Sequence, residues 1–354
     1  MHALDGVIIG PGTLKTLGPV VTEIAPTNRV FLCADKTVMT LLGSRITDIL
    51  ESAGLEVCSR SFAAGEKSKS LESASDLFNW LAYQEAERRE PLIALGGGVT
   101  GDLVGFVAAT YSRGIPLVQI PTTLLAQIDS SIGGKVAIDL VAGKNLVGAF
   151  YPATRVIVDP EVLVSLDRPQ LIADYAEVVK TAVLFDADMF ALIENSKSSL
   201  DDQELLANLI DRCIRWKAKI VDQDPSDRGL RAILNYGHTI AHAIETTSGY
   251  GKYRHGEAVA MGMVGAGQLA VHTGRWTKSD ADRQEQLLRD IGLPVRFHGS
   301  TVDELLDAIQ RDKKVQSGRV RWVLPDAIGR ASIDVDVDDR LVKSVLIDLM
   351  EDST

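Results

Sequence analysis

The chain has 354 residues, of which 45% are hydrophobic, 24% charged and only 5% aromatic, and its formal net charge is −11. That length exceeds one simple core and suggests two domains, while the acidic balance excludes an ordinary nucleic-acid surface, which concentrates Lys and Arg. Cys33, Cys58 and Cys213 are widely spaced, odd in number and without a CxxC pair, as in thiols of a reducing compartment. "MHALDGVIIGPG" lacks the positive start and long apolar core of a signal peptide. The longest run without Asp, Glu, Lys or Arg, residues 258–274, is too short and too polar for a membrane span. A cytoplasmic protein without nucleic-acid or membrane partners is expected.

In chain order, "GVIIG", "RVFLCAD", "EVCSRSF", "PLIALGGGV", "IPLVQIPTT" and "TRVIVD" are rich in β-branched residues and bounded by Gly, Pro or Asp, with amphipathic segments such as 70–84 between several of them. This alternation predicts a mostly parallel α/β sheet. After Pro160 the strand signals nearly vanish. Segments 168–196, 200–223, 229–247, 256–273, 279–291 and 301–312 read as helices, followed by a strand-like pair, "RVRWVLP" and "RASIDV". The boundary falls near residues 158–165. It gives an α/β domain over 1–160 and a mostly α-helical domain over 161–354, packed closely and sharing a cleft.

The first part carries a glycine turn. Gly96-Gly97-Gly98-Val99-Thr100-Gly101 fits G-x-G-x-x-G directly after a strand, where glycines let the backbone approach a pyrophosphate and the next helix N-terminus meets its charge. It follows roughly the fourth strand, and the next strand ends in "PTT" where the Rossmann fingerprint has an acidic residue. As a bare motif it serves equally as a structural turn; in a different dinucleotide mode, Asp35 takes the ribose role. In "QIDSSIGGKVAIDLVAGKNLVGAFYP", Asp129, Lys135, Lys144 and Asn145 lie among small and apolar neighbours, and two lysines in glycine contexts point to anion binding.

The second part carries the metal candidates. "LIADYAEVVKTAVLF" puts Glu177 and Lys180 on one helix face in an apolar run, where charges must be paired or metal-bound. In "RAILNYGHTIAHAIE", Arg231, Asn235, His238, His242 and Glu245 recur at helical spacing, a polar stripe between apolar faces. A lone helical His is usually a core or surface residue, but "YRHGEAVAMGM" adds His255. His238, His255 and Glu177 come from separate segments and would leave one coordination position open, as in a catalytic zinc site. Spacing does not decide which histidine of the 238/242 pair binds. The H-E-x-x-H protease mechanism is disfavoured because the intervening Glu is missing. An acidic chain that also keeps Arg113, Lys135, Lys144, Lys180, Lys217, Arg231 and the Lys313-Lys314 pair in glycine-rich or apolar contexts implies a substrate with several negative charges.

"GGGVTGDLVGF", "ATYSRG", "PTTLLAQIDSSIGGK", "GKNLVGAFYP", "AEVVK", "GLRAILNYGHTIAHAIE" and "HGEAVAMGM" closely resemble the 3-dehydroquinate synthases of the sugar phosphate cyclase family, collinearly from about residue 5 to 335. The resemblance implies a Rossmann-like NAD domain, a mostly helical metal- and substrate-binding domain, and a divalent metal, zinc or cobalt. Motif by motif, Glu177, His238 and His255 would hold the metal. Lys217 and Arg231 would grip the substrate carboxylate with Lys313 or Lys314. Lys135, Asn145, Asn235 and His242 match the phosphate end. Arg113 would reach across from a partner subunit, implying a homodimer. Asp129, Lys144 and Lys180 match residues around the substrate hydroxyls and cofactor, and Asp35, Glu66, Lys69, Gly97, Gly98, Asp102, Thr122, Thr123 and Leu125 match the NAD set.

The implied reaction turns 3-deoxy-arabino-heptulosonate 7-phosphate, an anionic sugar phosphate, into 3-dehydroquinate and phosphate in the shikimate pathway, by transient oxidation, phosphate elimination, re-reduction and intramolecular aldol closure. Three positions depart from the family: Val136 stands where Thr is common, Asp227 where Glu is frequent, and Lys36 where a smaller polar residue is expected. None is a ligand or a substrate anchor. A sister cyclase acting on an uncharged sugar end would not need the Lys217/Arg231 pair, a polyol dehydrogenase would not need the phosphate set, and a silent NAD-binding protein would have lost a metal ligand. A structural zinc would bring a fourth protein ligand.

Overall fold

The computed structural model describes residues 2–196, 200–227, 229–249, 251–311, 315–316, 319–334 and 336–350. Its contacts divide the chain into two units, Met1–Leu166 with Gln203–Ser226, and Asp167–Asp202 with Asp227–Thr354.

The first unit is built on β1 (Val7–Ile9), β2 (Arg29–Asp35), β3 (Glu56–Phe62), β4 (Leu92–Gly96), β5 (Leu117–Pro121) and β8 (Arg155–Val158), which form one sheet in the order β1-β8-β5-β4-β2-β3. Every pairing in it is parallel. These are the six strands the sequence predicts. Helices α1 (Leu17–Ile24), the single turn α2 (Lys36–Val38), α3 (Ser44–Ser52), α4 (Leu71–Tyr83) and α5 (Gly98–Thr110) connect them. The inner strands are buried and mostly apolar, with Gln119 of β5 the buried polar exception, because both faces are covered. Val30, Leu32, Ile93, Leu95, Val118 and Ile120 meet Leu17, Val21, Ile46 and Leu50 on one face. Phe31, Cys33, Leu92, Ala94 and Leu117 meet Leu77, Leu81, Leu103, Val104 and Val107 on the other.

The strand order has a switch point. From β2 the chain goes to β3 on one side and then to β4, β5 and β8 on the other, so a crevice opens beyond the carboxyl ends of β2 and β4. Ala34 pairs with Leu95, which puts Asp35 and the Gly96–Gly98 turn at the same end of neighbouring strands. After β5, residues Ala126–Ser130 form a π-helical turn. Its fully buried Gln127 donates to the carbonyls of Pro121 at 3.2 Å and Asp159 at 2.9 Å, which fixes the turn against two strand ends. The glycine contexts of Lys135 and Lys144 suggest lysines presented from glycine turns in the following stretch. The structure instead forms an antiparallel hairpin, β6 (Lys135–Leu140) with β7 (Gly143–Phe150), outside the main sheet.

The chain continues with α6 (Arg168–Phe185) and α7 (Ala187–Asn195) in the second unit, returns to the first with α8 (Gln203–Gln223), and then runs α9 (His238–Ser248), α10 (His255–His272), α11 (Lys278–Ile291) and α12 (Val302–Arg311). The short pair β9 (Val315–Gln316) and β10 (Arg319–Val320), the antiparallel pair β11 (Trp322–Ala327) and β12 (Arg330–Asp334), and α13 (Asp339–Asp348) follow. Helix α10 is buried on nearly all sides, as its continuous apolar and small residues require. A single cut at residue 160 does not describe the contacts, because α8 packs with the first unit.

Two predicted helices are interrupted. The 168–196 helix breaks at Asp186, whose side chain caps α7 by accepting from the Met189 N–H at 2.9 Å. The 229–247 helix is a 3-10 segment, Leu230–Asn235, then Gly237 at φ 77°, then α9. Arg231 and Asn235 therefore do not share a helix face with His238, His242 and Glu245, and the stripe is two elements rather than one. Among the described residues no helix is long and apolar enough to cross a membrane, and Cys33, Cys58 and Cys213 are free thiols. Gln127→Leu should destabilise the fold by about 1–3 kcal/mol, because two buried carbonyls lose their donor; thermal denaturation against the unaltered chain measures it.

Candidate active site

The second unit brings Glu177, His238 and His255 together, with ligand atoms all within 4.8 Å of one another. Glu177 lies inside α6, whereas each histidine is the first residue of its helix, α9 or α10. Glycines make this approach possible. A Cβ on Gly256, next to His255, would lie 1.7 Å from the carbonyl oxygen of Ala173, one turn before Glu177. A Cβ on Gly262 would lie 2.0 Å from the carbonyl oxygen of Gly237, the residue before His238. Backbone contacts this close admit no side chain, so α10 is held against both α6 and the start of α9.

The hydrogen-bond pattern around these groups fits a cation. Glu177 and Lys180 are almost fully buried, and Lys180 donates to Glu177 Oε2. Glu177 Oε1 is buried and has no hydrogen-bond partner. It faces His238 Nε2 at 3.6 Å and His255 Nε2 at 3.9 Å, beyond hydrogen-bond range. The other nitrogen of each ring is engaged. His238 Nδ1 lies 3.1 Å from the carbonyl oxygen of Tyr236, and His255 Nδ1 lies 3.1 Å from Glu245 Oε1. Both partners only accept, so in the neutral form of each ring Nδ1 is the protonated nitrogen and Nε2 keeps the lone pair. An unpartnered carboxylate oxygen and two imidazole Nε2 atoms turned on one point form a group that could hold a divalent metal through three ligands. Burial opposes charge on the His255 ring, but Glu245 and Glu177 outweigh it and raise its pKa above the ordinary histidine value.

Nearby residues follow the same elements. The ring of His242, one turn along α9, stands edge-on to that of His238 with centroids 5.6 Å apart. Arg231 is 3% exposed in the 3-10 segment that also carries Asn235. Lys313 and Lys314 lie outside the described residues.

In the first unit, Lys217 on α8 donates to Asp129 of the π-helical turn, a pairing that the return of α8 creates and sequence spacing could not show. Lys69 is buried and pairs with Asp102 on α5 at 2.6 Å. Burial pushes the Asp102 carboxyl above its ordinary pKa, with Lys69 opposing. Lys144 reaches Glu66 at 3.3 Å. Asn145 takes a left-handed conformation, φ 56°, and its amide donates to Asp139 Oδ1 at 2.8 Å. Lys135 opens β6 and is exposed. Arg113 is also exposed, in a turn where Ser112 and Arg113 both have positive φ.

The crevice end of the sheet fits a dinucleotide. Gly97 and Gly98 open α5 without side chains, and Thr122, Thr123 and Leu125 follow the adjacent strand β5. Thr122 Oγ1 is buried without a hydrogen-bond partner, whereas Thr123 Oγ1 accepts from the amide of Ala126 at 3.1 Å. Asp35 caps α2 through one carboxylate oxygen, which accepts from the amides of Thr37 and Val38. Sequence reasoning assigned no role to Glu245 or to the backbone of Tyr236, although Glu245 already lay in the polar stripe.

Gly256→Ala should displace α10 from α6, lowering bound zinc well below one per chain and costing about 1–3 kcal/mol of stability from overpacking. Metal analysis of the purified protein, with a melting curve beside it, reads both effects.

Sequence models of the 3-dehydroquinate synthase N-terminal and C-terminal parts match residues 59–173 and 174–315. The 3-dehydroquinate synthase of Nostoc punctiforme is 43% identical over 346 residues, covering 96% of this chain and 95% of that protein. Among solved structures, 2-epi-5-epi-valiolone synthase from Streptomyces hygroscopicus subsp. jinggangensis, with NAD+ and Zn2+ bound, matches with a TM-score of 0.89 at 28% identity, over 97% of this chain and 96% of that one. A 2-deoxy-scyllo-inosose synthase complexed with carbaglucose-6-phosphate, NAD+ and Co2+ matches with a TM-score of 0.88 at 27% identity over the same shares. Identity above 40% to 3-dehydroquinate synthases over nearly the full length, with the two sequence models together matching residues 59–315, places this chain in the 3-dehydroquinate synthase family.

Proposed function

We propose that the protein is a 3-dehydroquinate synthase, converting 3-deoxy-arabino-heptulosonate 7-phosphate into 3-dehydroquinate and phosphate. The observation that carries this reading is the full-length match to enzymes of that name, 43% against 28% for the valiolone synthase. The cationic side chains Lys217 and Arg231 support it, since a substrate carboxylate needs them and an uncharged sugar end does not.

Glu177, His238 and His255 would hold a divalent zinc or cobalt ion, and NAD would lie along the crevice at Asp35 and Gly96–Gly98. When bound, the metal supplies Lewis-acid polarisation of a substrate hydroxyl and NAD+ accepts and then returns one hydride, so the reaction is redox-neutral overall. The chain's own contribution is positioning and charge. Lys180 neutralises the buried Glu177 and keeps its second oxygen turned to the histidines. Lys217 and Arg231, with Lys313 or Lys314, take the substrate carboxylate. Lys135, Asn145, Asn235 and His242 take the phosphate, which leaves as a dianion from a site already rich in donors. Asp129 and Lys144 face the substrate hydroxyls and cofactor, and Glu66, Lys69, Asp102, Thr122, Thr123 and Leu125 complete the NAD contacts. The protein works as a cytoplasmic homodimer in which Arg113 serves the neighbouring subunit's phosphate. The exposure of Arg113 on a turn of fixed, left-handed backbone supports this role.

The sister cyclase reading rests on the two solved structures. It is tested by giving metal-replete protein and NAD+ three substrates in parallel: 3-deoxy-arabino-heptulosonate 7-phosphate, sedoheptulose 7-phosphate and glucose 6-phosphate. Phosphate release with dehydroquinate, identified by mass spectrometry, is expected from the first alone; turnover only with either of the others overturns the assignment. Arg231→Ala should raise KM for the carboxylate substrate roughly ten- to a hundred-fold, the worth of one charged hydrogen bond. Unchanged steady-state kinetics in a folded variant would remove Arg231 from the site.

A further inference from the structure

The polar face of α9 contains one residue that neither the ligand set nor the substrate contacts use. His238, His242 and Glu245 occupy successive turns of one face of this helix, four and then three residues apart. Glu245 is largely buried, and its Oε1 lies 3.1 Å from Nδ1 of His255, the first residue of the neighbouring helix. The two histidines are thus oriented by unequal acceptors. His238 is held by a neutral backbone carbonyl, that of Tyr236, and His255 by a carboxylate.

We propose that Glu245 is a positioning residue for the metal centre: it accepts the Nδ1 proton of His255, fixes the ring so that Nε2 faces Glu177, and makes that nitrogen the stronger donor of the two. The inference rests on the metal reading above. A single helix then supplies one ligand directly, His238, and the anchor of another two turns later. The physical reason is general. A free imidazole exchanges tautomers and rotates about its side-chain bonds, so half of its conformations present the wrong nitrogen. A fixed acceptor at Nδ1 removes that freedom and adds electron density to the ring. A carboxylate does both, and an amide oxygen does only the first. The arrangement needs α9 and α10 in register, which Gly262 against Gly237 enforces.

The test is metal affinity, read without turnover. Apo-protein, Glu245→Gln and Glu245→Ala are titrated with Zn2+ against a chromophoric chelator, and the visible spectrum of each Co2+ form is recorded. Wild type should bind one ion per chain. Glu245→Ala should bind about 10- to 100-fold more weakly, the range found when outer carboxylates are lost. Glu245→Gln, which keeps an acceptor of the same shape, should fall between, with a shifted Co2+ spectrum and an apo-protein melting temperature close to wild type. If Glu245→Ala does not fold, Glu245→Gln alone decides the matter. Affinity within twofold of wild type, with an unchanged Co2+ spectrum, in the folded variants would overturn the role of Glu245. Failure of the wild type itself to bind one ion would instead overturn the metal reading.

Discussion

The structure of the second unit depends on how closely three backbones approach. Ala173 on α6, Gly237 before α9, and Gly256 and Gly262 on α10 meet at distances where no Cβ fits. Larger residues there would separate the helices by an ångström or more, and the ligand atoms of Glu177, His238 and His255 with them. A catalytic metal site tolerates little of that, since ligand distances are fixed to within about 0.2 Å. The geometry of this triad is therefore set by small residues that do not belong to it. The burial of Glu177 and Lys180 has the same origin. Removing two charges from water costs several kcal/mol each, and their mutual pairing accounts for only one carboxylate oxygen. The other has no hydrogen-bond partner and faces the two histidines, where a cation could sit.

A different arrangement governs the first unit. Lys69, Lys144 and Lys217 are each paired with a carboxylate of the same unit, Asp102, Glu66 and Asp129. Such pairs hold long, flexible side chains in place before an anion arrives, which lowers the entropy lost on binding. They also explain how a chain of net charge −11 can present cations to a polyanion. In these three pairs the positive charge is local and held by its own counter-charge.

Much of this was legible in the sequence, for identifiable reasons. Strands buried on both faces are nearly continuous apolar runs, which made the inner strands β2, β4, β5 and β8 visible, and the edge strands β1 and β3 showed through β-branched or aromatic residues between turn residues. Glu177, His238 and His255 stood out because ionisable groups in apolar helices need a partner. The rest depended on information that spacing does not carry. The stripe from Arg231 to Glu245 has helical periodicity, yet Gly237 takes a positive φ that breaks the helix, and a lone glycine in an apolar pattern does not announce this. The β6–β7 hairpin was hidden by its glycines, which read as loop. Helix α8 gave no sign that it returns to the first unit, so the pairing of Lys217 with Asp129 was unforeseen. Glu245 was seen in the stripe but had no assigned partner, because the link to His255 exists only once α9 and α10 are packed.

Two imidazole nitrogens and one unpartnered carboxylate oxygen facing a common point would together hold a cation. Anomalous diffraction at the zinc absorption edge from crystals of zinc-replete protein tests this directly. One strong peak is expected, roughly 2.0–2.2 Å from Glu177 Oε1 and from Nε2 of both His238 and His255. A peak bound through either Nδ1, a peak elsewhere, or no peak at this triad would rule the site out.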